Sequence, residues 1–308
     1  ELELLLLVYG TMHFWSIINI ILNVITLINS IATILICLFT FLLVIIVHRQ
    51  TRTVLILLAC HTCLILMISA ILLGSMTTSS IIGFMDIKLK QHANTNWCRW
   101  RGYLIHGFLC ILYDSYVLQA AFRFFRVVFS RHKILHNFPV YCFVILIASL
   151  FGLISISPVI IRNDVIYLPS EYYCQTPFTN IPVIVYIAVR LFLIPIVFIA
   201  IIYLCLLRHI SGQANLLRCR HRRRSRHNGR NLKVIRRLLL MLTTLIFLGL
   251  PSMIFLTILI LAGHLVSLTY RIGWLSVSFS LVFLAYMLIQ LTRPLRKTMR
   301  RFFRRETS

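Results

Sequence analysis

The sequence predicts an all-α bundle of seven transmembrane helices. Its 308 residues are 60% hydrophobic and only 12% charged, whereas about a quarter of the residues of a soluble domain are charged. The mean hydropathy is +0.92. Seven apolar stretches are each long enough to cross the roughly 30 Å hydrocarbon core of a bilayer as a helix. They cover residues 17–47, 53–78, 98–128, 138–161, 181–207, 234–262 and 266–291.

The positive charges predict how this bundle is oriented. Of the 31 Lys and Arg residues, 24 lie at or beyond the ends of the first, third, fifth and seventh stretches. Cytoplasmic segments of membrane proteins are enriched in Lys and Arg. We therefore expect a multi-pass membrane protein with its N-terminus outside and its C-terminus inside. The net charge of +24 indicates this topology and contact with anionic inner-leaflet lipids, rather than binding of nucleic acid.

The third stretch carries the strongest signature of a known family. Cys98 follows Trp97 at its beginning, and Arg123 comes 25 residues later, near its end. As a helix this interval spans roughly 37 Å at about 1.5 Å per residue, so the two residues belong to opposite membrane faces. A cysteine and an arginine with this spacing in the third helix resemble those of rhodopsin-like G-protein-coupled receptors.

Two prolines extend the resemblance. Phe192-Leu-Ile-Pro195, followed by Tyr203, is similar to the F-x-x-P motif and inner tyrosine of the family's fifth helix, and Pro251 matches the proline of its sixth helix. A proline inside a helix removes a hydrogen bond and kinks the backbone. The resemblance thus implies kinks at Pro195 and Pro251, with a bulge in the fifth helix, and a single seven-transmembrane receptor domain over residues 1–308.

The resemblance also implies a disulfide bond. The outer segment 162–178 contains Cys174, the only outward-facing cysteine besides Cys98. Thiols oxidise outside the cell, and in the family a bond between these positions ties the third helix to this loop. The alternative is a pair of free thiols that face an oxidising medium.

Several family motifs are altered in this chain. Phenylalanines flank Arg123 where the family has D/E-R-Y, Thr62 replaces the acid of the second helix, and Gly249 stands at the tryptophan of the sixth. A sodium ion needs that acid as a hard oxygen ligand, so we expect no sodium site. The ionic restraint on the inactive state is also missing. The chain is therefore either a divergent working receptor or a degraded or constitutively biased one.

Three residues near the inner ends are candidates for coupling to a G protein. By position, Arg123 corresponds to the arginine that contacts the G protein in the family, and Tyr203 to the inner tyrosine of its fifth helix. Arg126, one turn after Arg123, is the alternative candidate. Either arginine could instead extend to the lipid headgroups without a signalling role.

Asp114 and Arg190 are charged residues that lie deep within predicted spans, away from the span ends. An ionised side chain inside a membrane is costly and is usually paired. The resemblance places both positions where helices three, four and five meet, so we expect an ion pair with a structural role. The alternative is a protonated Asp114 bonded to a nearby carbonyl or hydroxyl group, with Arg190 directed towards the outer cavity.

The family's ligand cavity opens outwards between helices three, five, six and seven. By position, Tyr103, His106, Leu109 and Tyr186 are candidates to line it, together with Arg190. Ile105 stands at the aspartate of the amine receptors, so a small amine would lack its counterion. The last span contains no lysine, which excludes a retinal Schiff base. A lone histidine such as His106 more often forms a bond between helices than a ligand contact.

The basic tail predicts a short amphipathic helix over residues 294–305, lying on the inner leaflet. No hydrolase triad, phosphate loop or metal-binding motif occurs, so we expect no enzyme, no cofactor and no metal site. The resemblance implies a receptor that couples an extracellular ligand, a peptide or another non-amine, to a heterotrimeric G protein. The alternatives are a signalling-dead seven-helix scaffold, or a transporter or channel, which usually shows internal repeats and several intramembrane charges.

Overall fold

A computed structural model describes most of the chain. The described residues are 2–48, 53–85, 95–129, 132, 137–216, 243, 245–247, 249–251, 253–263, 268–292 and 299. The helices are α1 (Leu2–His48), α2 (Val54–Met85), α3 (Asn96–Val128), α4 (Phe138–Ile161), α5 (Ile181–Ala188, a π-helical turn Val189–Leu193, and Ile194–Leu216), α6 (Leu245–Ala262) and α7 (Thr269–Leu291). Two short strands, β1 (Ile166–Leu168) and β2 (Tyr173–Gln175), lie between α4 and α5.

The seven helices confirm the predicted fold class. Within the described residues, seven helices are long and apolar enough to cross a membrane, so the chain is built as a multi-pass membrane protein. Two helices extend beyond the predicted spans: α1 begins at Leu2 rather than near residue 17, and α2 continues to Met85 rather than ending near 78. The added segments contain no proline, so nothing in the backbone stops either helix.

Helix α3 lies at the centre of the bundle. It contacts α2, α4 and α5 as well as both strands, and Ile105, Leu112 and Tyr113 in it are fully buried. It is also the least hydrophobic and the most enclosed of the seven spans. A helix surrounded by protein can carry polar groups that meet polar partners, whereas α4, which exposes most of its surface, is uniformly apolar.

The two strands form a hairpin at one end of the bundle, which we call the hairpin end. The strands are antiparallel, with Ile166 opposite Gln175. Tyr172 in the turn has a φ of 62°, a conformation that bulky residues seldom adopt. Its ring packs edge-on against Phe84 at 4.7 Å, and it also lies against Gly83, where an added Cβ would come within 2.3 Å of it. The tight contact with α2 holds the turn in place.

Helix α5 is irregular directly before its proline. In the turn Val189–Leu193 the N–H of Ile194 donates to the Val189 carbonyl, five residues back. Pro195 follows at once and has no N–H to continue the regular pattern. The expected bulge in this helix is therefore a π-helical turn, and it rotates Arg190 into the bundle, where it is buried. The residues on either side of the Gly249–Pro251 segment lie outside the described residues, so the predicted kink at Pro251 is not described.

Two predictions about the basic segments have different outcomes. The sequence predicts a solvated loop over residues 210–229, but α5 continues to Leu216, so its first part is helical. The predicted start of the loop is therefore wrong by seven residues. Residues 210–216 contain no proline, so the helix continues through them. The remainder of that loop, and all of the predicted amphipathic helix 294–305 except Met299, lie outside the described residues.

Candidate functional site

A disulfide bond fixes the hairpin to the central helix. Cys98 in the first turn of α3 is bonded to Cys174 in β2, with 5.4 Å between their Cα atoms. One turn further along α3, Gly102 lies so close to β2 that an added Cβ would approach the Cys174 carbonyl oxygen to 2.4 Å. The hairpin is therefore held directly against the end of α3 and covers this end of the bundle.

A buried ion pair holds the hairpin to α7. The Arg271 Nη2 atom lies 3.0 Å from the Glu171 Oε2 atom, and the two side chains are 3% and 5% exposed. The Arg271 guanidinium also stacks on the Phe84 ring of α2 at 4.6 Å. Burial raises the pKa of the Glu171 carboxyl from 4.5 to about 7, although the nearby Arg271 charge opposes the rise. The sequence does not reveal this pair, because Glu171 belongs to an outer segment and Arg271 to the outer end of the last span, where charges are normally solvated.

A small cavity lies under the hairpin, between α3, α5, α6 and α7. Its volume is about 70 Å³. Of the predicted cavity residues, His106 and Leu109 line it. The other lining residues are Gln175 and Phe178 from the hairpin segment, Ile184, Ile187, Ala188, Leu191 and Phe192 from α5, Met253 and Leu256 from α6, and Thr269, Tyr270, Gly273, Trp274 and Val277 from α7. The hairpin thus forms a roof that sequence analysis did not foresee.

The polar groups of this cavity are neutral and already oriented. The Trp274 Nε1–H donates to the Gln175 Oε1 atom at 2.8 Å. The Tyr270 hydroxyl oxygen accepts from the Phe178 N–H at 2.9 Å. His106 Nδ1 lies 2.7 Å from the Gly102 carbonyl oxygen; because a carbonyl only accepts, this nitrogen carries the hydrogen. The described lining contains no Asp, Glu, Lys or Arg.

The remaining predicted cavity residues lie elsewhere. The Tyr103 hydroxyl donates to the Leu153 carbonyl of α4 at 3.0 Å, and the Tyr186 hydroxyl donates to the Ser155 carbonyl, also in α4. Each ring therefore turns away from the space between α3, α6 and α7, which corrects their assignment to the cavity. Buried phenols are usually hydrogen-bonded, and the Leu153 carbonyl of α4 supplies the acceptor for the buried Tyr103, while the exposed Tyr186 uses the carbonyl of Ser155.

Asp114 and Arg190 form a bidentate ion pair. Arg190 Nη2 lies 2.7 Å from Asp114 Oδ2, and Nη1 lies 3.3 Å from Oδ1. The Arg190 Nε–H donates to the Ser155 hydroxyl at 2.9 Å, and its guanidinium lies over the Phe151 ring at 4.9 Å. One arginine thus joins α3, α4 and α5, as the sequence leads us to expect. Arg190 does not line the cavity.

An aromatic contact lies between the cavity and the rest of the core. Phe192 of α5 packs onto the backbone of α6 at Gly249, where an added Cβ would come within 2.5 Å of the ring. The Tyr113 ring meets Phe192 edge-on at 5.4 Å, and the Tyr113 hydroxyl donates to the Leu245 carbonyl of α6 at 3.0 Å. Sequence analysis identified Gly249 as unusual but did not identify Phe192 as the side chain that fills its space.

The predicted coupling residues lie at the end opposite the hairpin. Tyr203 of α5 is only 4% exposed, and its hydroxyl has no hydrogen-bond partner among the described residues. Arg123 is partly buried and lies within electrostatic reach of that hydroxyl. Arg126, in the last turn of α3, is exposed. The structure therefore brings Arg123 and Tyr203 together and leaves Arg126 at the surface.

Thr62 stands in α2 at the position where a sodium site would need an acidic residue. Its hydroxyl donates to the Leu58 carbonyl and accepts from the Gln119 amide of α3 at 2.8 Å. A neutral threonine–glutamine bond therefore joins α2 to α3 at this level. Such a pair offers no carboxylate to a cation.

Comparisons with known proteins do not identify the function, so the structure has to supply the evidence for it. No protein-family model matches the sequence, and no curated protein matches it either. Among the residues that the structure describes, no group of three or more His, Cys, Asp or Glu side chains could hold a metal ion. Three features bear on the function. The hairpin end contains a roofed cavity without charged residues in its described lining, the opposite end contains the neighbouring residues Arg123 and Tyr203, and the central helix α3 connects the two ends.

Proposed function

We propose that this protein is a rhodopsin-like G-protein-coupled receptor of the plasma membrane, with the hairpin end outside the cell. The observation that carries the proposal is the course of α3. This one buried helix bears the disulfide at Cys98, the cavity residues His106 and Leu109, and Arg123 at the far end. Because it spans the bilayer, a change at the cavity has a direct structural route to the inner face.

Signalling would proceed by a shift between two existing arrangements of the bundle. A ligand in the cavity contacts α6 at Met253 and Leu256 and α5 at Phe192. Because Phe192 rests on Gly249, a ligand that displaces its ring changes how α5 and α6 pack. The ligand favours the arrangement to which it binds more tightly, and only that difference in affinity moves the equilibrium.

The inner face would engage a heterotrimeric G protein through Arg123. The partner-poor hydroxyl of Tyr203 lies close to this arginine, so it can hold the side chain in the position that contacts the G protein. Phe122 and Phe124 flank Arg123, and neither supplies the carboxylate that restrains the arginine in typical receptors of this class. We therefore expect measurable activity without ligand.

The test is the basal G-protein activation of cells that express the full chain, Arg123→Ala or Arg126→Ala at matched surface levels. We expect a basal signal that Arg123→Ala abolishes and Arg126→Ala retains, because Arg123 is partly buried near the Tyr203 hydroxyl, whereas Arg126 is exposed. Arg126→Ala is the matched control, since it removes the same charge from an exposed site on the same helix. A signal that survives Arg123→Ala would contradict the proposed role of this residue. The absence of signal from all three chains would favour a scaffold.

A further inference from the structure

A second, larger cavity opens on the lateral surface of the bundle, between α5 and α6. Its volume is about 370 Å³, within the range of roughly 300–1,000 Å³ that ligand sites occupy. Every described residue that lines it is apolar or glycine. They are Val185, Ala188, Val189, Phe192, Leu193 and Ile196 from α5, and Ile246, Gly249, Leu250, Met253 and Leu256 from α6. We call this space the lateral groove.

The lateral groove faces the acyl chains of the bilayer. Val185, Val189 and Leu193 on its rim are 40%, 37% and 56% exposed, and they belong to a span that crosses the membrane. An apolar groove at this depth is filled by a hydrocarbon chain rather than by water, because its lining offers water no hydrogen bond. The occupant of the groove is therefore a lipid chain.

The lateral groove adjoins the roofed cavity. Ala188, Phe192, Met253 and Leu256 line both spaces. On the side away from the membrane interior, the hairpin closes the cavity through Gln175 and Phe178, which are both buried. A movement of the Phe192 side chain, which lines both spaces, would therefore open a path from the bilayer to the cavity without displacing the disulfide-bonded roof.

The polar groups of the cavity define the headgroup that it accepts. Because His106 Nδ1 carries its hydrogen, Nε2 of the neutral ring is an acceptor for a hydroxyl group. The Gln175 carbonyl is occupied by Trp274, so this side chain offers its amide hydrogens as donors. The described lining of both spaces contains no Asp, Glu, Lys or Arg to pair with a phosphate, carboxylate or amine. A charged headgroup would therefore be buried without a counterion, at a large cost.

From these observations we infer that the ligand of this receptor is an uncharged lipid with a single acyl chain and a hydroxyl-bearing headgroup. The lipid enters between α5 and α6, places its chain in the lateral groove and its headgroup between His106 and Gln175. This inference rests on the proposed function, because the bound lipid is a signalling ligand only if the protein is a receptor. The binding site itself is testable without any signalling readout.

The experiment uses the full chain in phosphatidylcholine nanodiscs and a monoacylglycerol with a diazirine in its acyl chain. After photolysis, mass spectrometry locates the labelled residues. We expect labels on groove residues of α5 and α6, and competition by unlabelled monooleoylglycerol but not by oleate at pH 9 or lysophosphatidylcholine. The wild-type chain alone gives this result, so it does not depend on the folding of a variant.

A matched pair of variants sharpens the test. Val185→Phe fills the lateral groove, whereas Val197→Phe adds the same bulk to a lipid-exposed position of α5 that lines neither space. Competed labelling should fall about tenfold in Val185→Phe, a loss of one decade in affinity, and stay unchanged in Val197→Phe. Both variants must retain the Cys98–Cys174 bond and elute as monodisperse protein.

The outcomes separate the two proposals. Labelling that is spread over the lipid-facing surface, that monooleoylglycerol does not compete, or that oleate competes equally well overturns the neutral-lipid site, whatever the G-protein assay shows. Competed labelling in the groove supports the site. If monooleoylglycerol then leaves G-protein activation unchanged in cells, the lipid site stands but its lipid is not the signalling ligand. The proposed signalling function fails separately, if the basal signal survives Arg123→Ala.

Discussion

The hairpin half and the opposite half of this bundle are held together in different ways. At the hairpin end, a disulfide bond, the Glu171–Arg271 ion pair and the Trp274–Gln175 hydrogen bond connect α3, α7 and the hairpin. Towards the opposite end, the described contacts are mainly apolar, such as Phe122 edge-on against Tyr141 at 5.1 Å. The first half is fixed by a covalent bond and a buried ion pair, and the second by packing together with neutral hydrogen bonds such as that between Thr62 and Gln119.

This difference indicates which half can change shape. Lipid tails are as apolar as the helix surfaces, so apolar contacts between helices gain little from the exclusion of solvent and depend on close packing. Alternative packings of comparable energy are then accessible at the end that carries Arg123 and Tyr203. The hairpin end keeps one geometry because a movement would separate the charges of its ion pair and strain its disulfide bond. A receptor needs this combination of a stable ligand site and an adaptable inner face.

The largest expected effect comes from the disulfide. Cys174→Ser releases the hairpin from α3, and the loss of a native disulfide typically costs roughly 2–5 kcal/mol. We expect most of the variant to be retained inside the cell and the purified remainder to unfold at a lower temperature. Surface labelling and thermal unfolding in detergent measure both effects.

The control for the disulfide is Cys142→Ser, which removes an exposed free thiol of α4. It should leave surface level and unfolding temperature unchanged. If Cys174→Ser and Cys142→Ser behave alike, the hairpin is held by its other contacts, and the contrast between the two halves loses its main support.

The next largest effect comes from the ion pair in the middle of the bundle. Arg190→Leu leaves Asp114 buried without its partner, and removal of one member of a buried pair costs roughly 3–5 kcal/mol. Asp114→Leu combined with Arg190→Leu should recover part of this loss, because no charge then remains unpaired. Thermal unfolding of the two single variants and the double variant gives the coupling between the residues.

Arg126→Leu is the matched control, since it makes the same substitution at an exposed arginine. It should change the unfolding temperature little. The basal G-protein signal per folded receptor should also survive the double Asp114→Leu and Arg190→Leu substitution, because a pair that persists in both arrangements does not signal. A double variant that is as unstable as both single variants added together would show that the two charges do not stabilise one another.

A smaller effect follows from the raised pKa of Glu171. The folded protein holds this carboxyl at a pKa of about 7, above its value of about 4.3 in an unfolded chain. Between these values the folded state binds more protons than the unfolded state, so stability falls as the pH rises through this window and levels off above it. We expect the unfolding temperature of the wild type to decline by a few degrees between pH 5 and pH 7.5.

Glu171→Gln should remove most of that decline, because an amide does not titrate. The control is Asp164→Asn, which removes the other carboxylate of the same outer segment and leaves Glu171 in place. The Asp164 carboxylate accepts a hydrogen bond from the Asn180 amide at 2.9 Å. A decline that persists in Glu171→Gln would mean that another group of the hairpin end carries the pH dependence.

Much of the architecture could be predicted from the sequence because the bilayer constrains it strongly. Long apolar stretches have to be helices, and charges inside them have to be paired, which leads directly to Asp114 and Arg190. The sequence does not reveal helix rotation. Tyr103 lies at the right depth for the cavity but turns to α4, and the contact between Phe192 and Gly249 depends on the facing of two helices at once. Glu171 and Arg271 were missed because the sequence contains no sign that the hairpin folds inwards.

The smallest expected effect on stability lies in the adaptable half, at the Thr62–Gln119 hydrogen bond. Thr62→Val removes the acceptor of the Gln119 amide, and such bonds between transmembrane helices average about 0.6 kcal/mol. The unfolding temperature should therefore change little. The basal G-protein signal should change by a larger factor, because a bond between α2 and α3 that exists in one arrangement and not in the other biases their equilibrium by its whole free energy.

Thr78→Val isolates this effect. Thr78 also donates to a carbonyl of its own helix, that of Gly74 at 2.8 Å, but it is exposed and lies in the hairpin half. Both variants replace the same hydroxyl by a methyl group in α2, so a difference between their signals reports the bond to Gln119. A change of basal signal in Thr62→Val alone supports an inner half that is held by weak, exchangeable contacts. Equal signals in both variants, or a loss of stability in Thr62→Val comparable to that in Arg190→Leu, would place Thr62 in the rigid part of the bundle and move the boundary between the two halves towards Arg123.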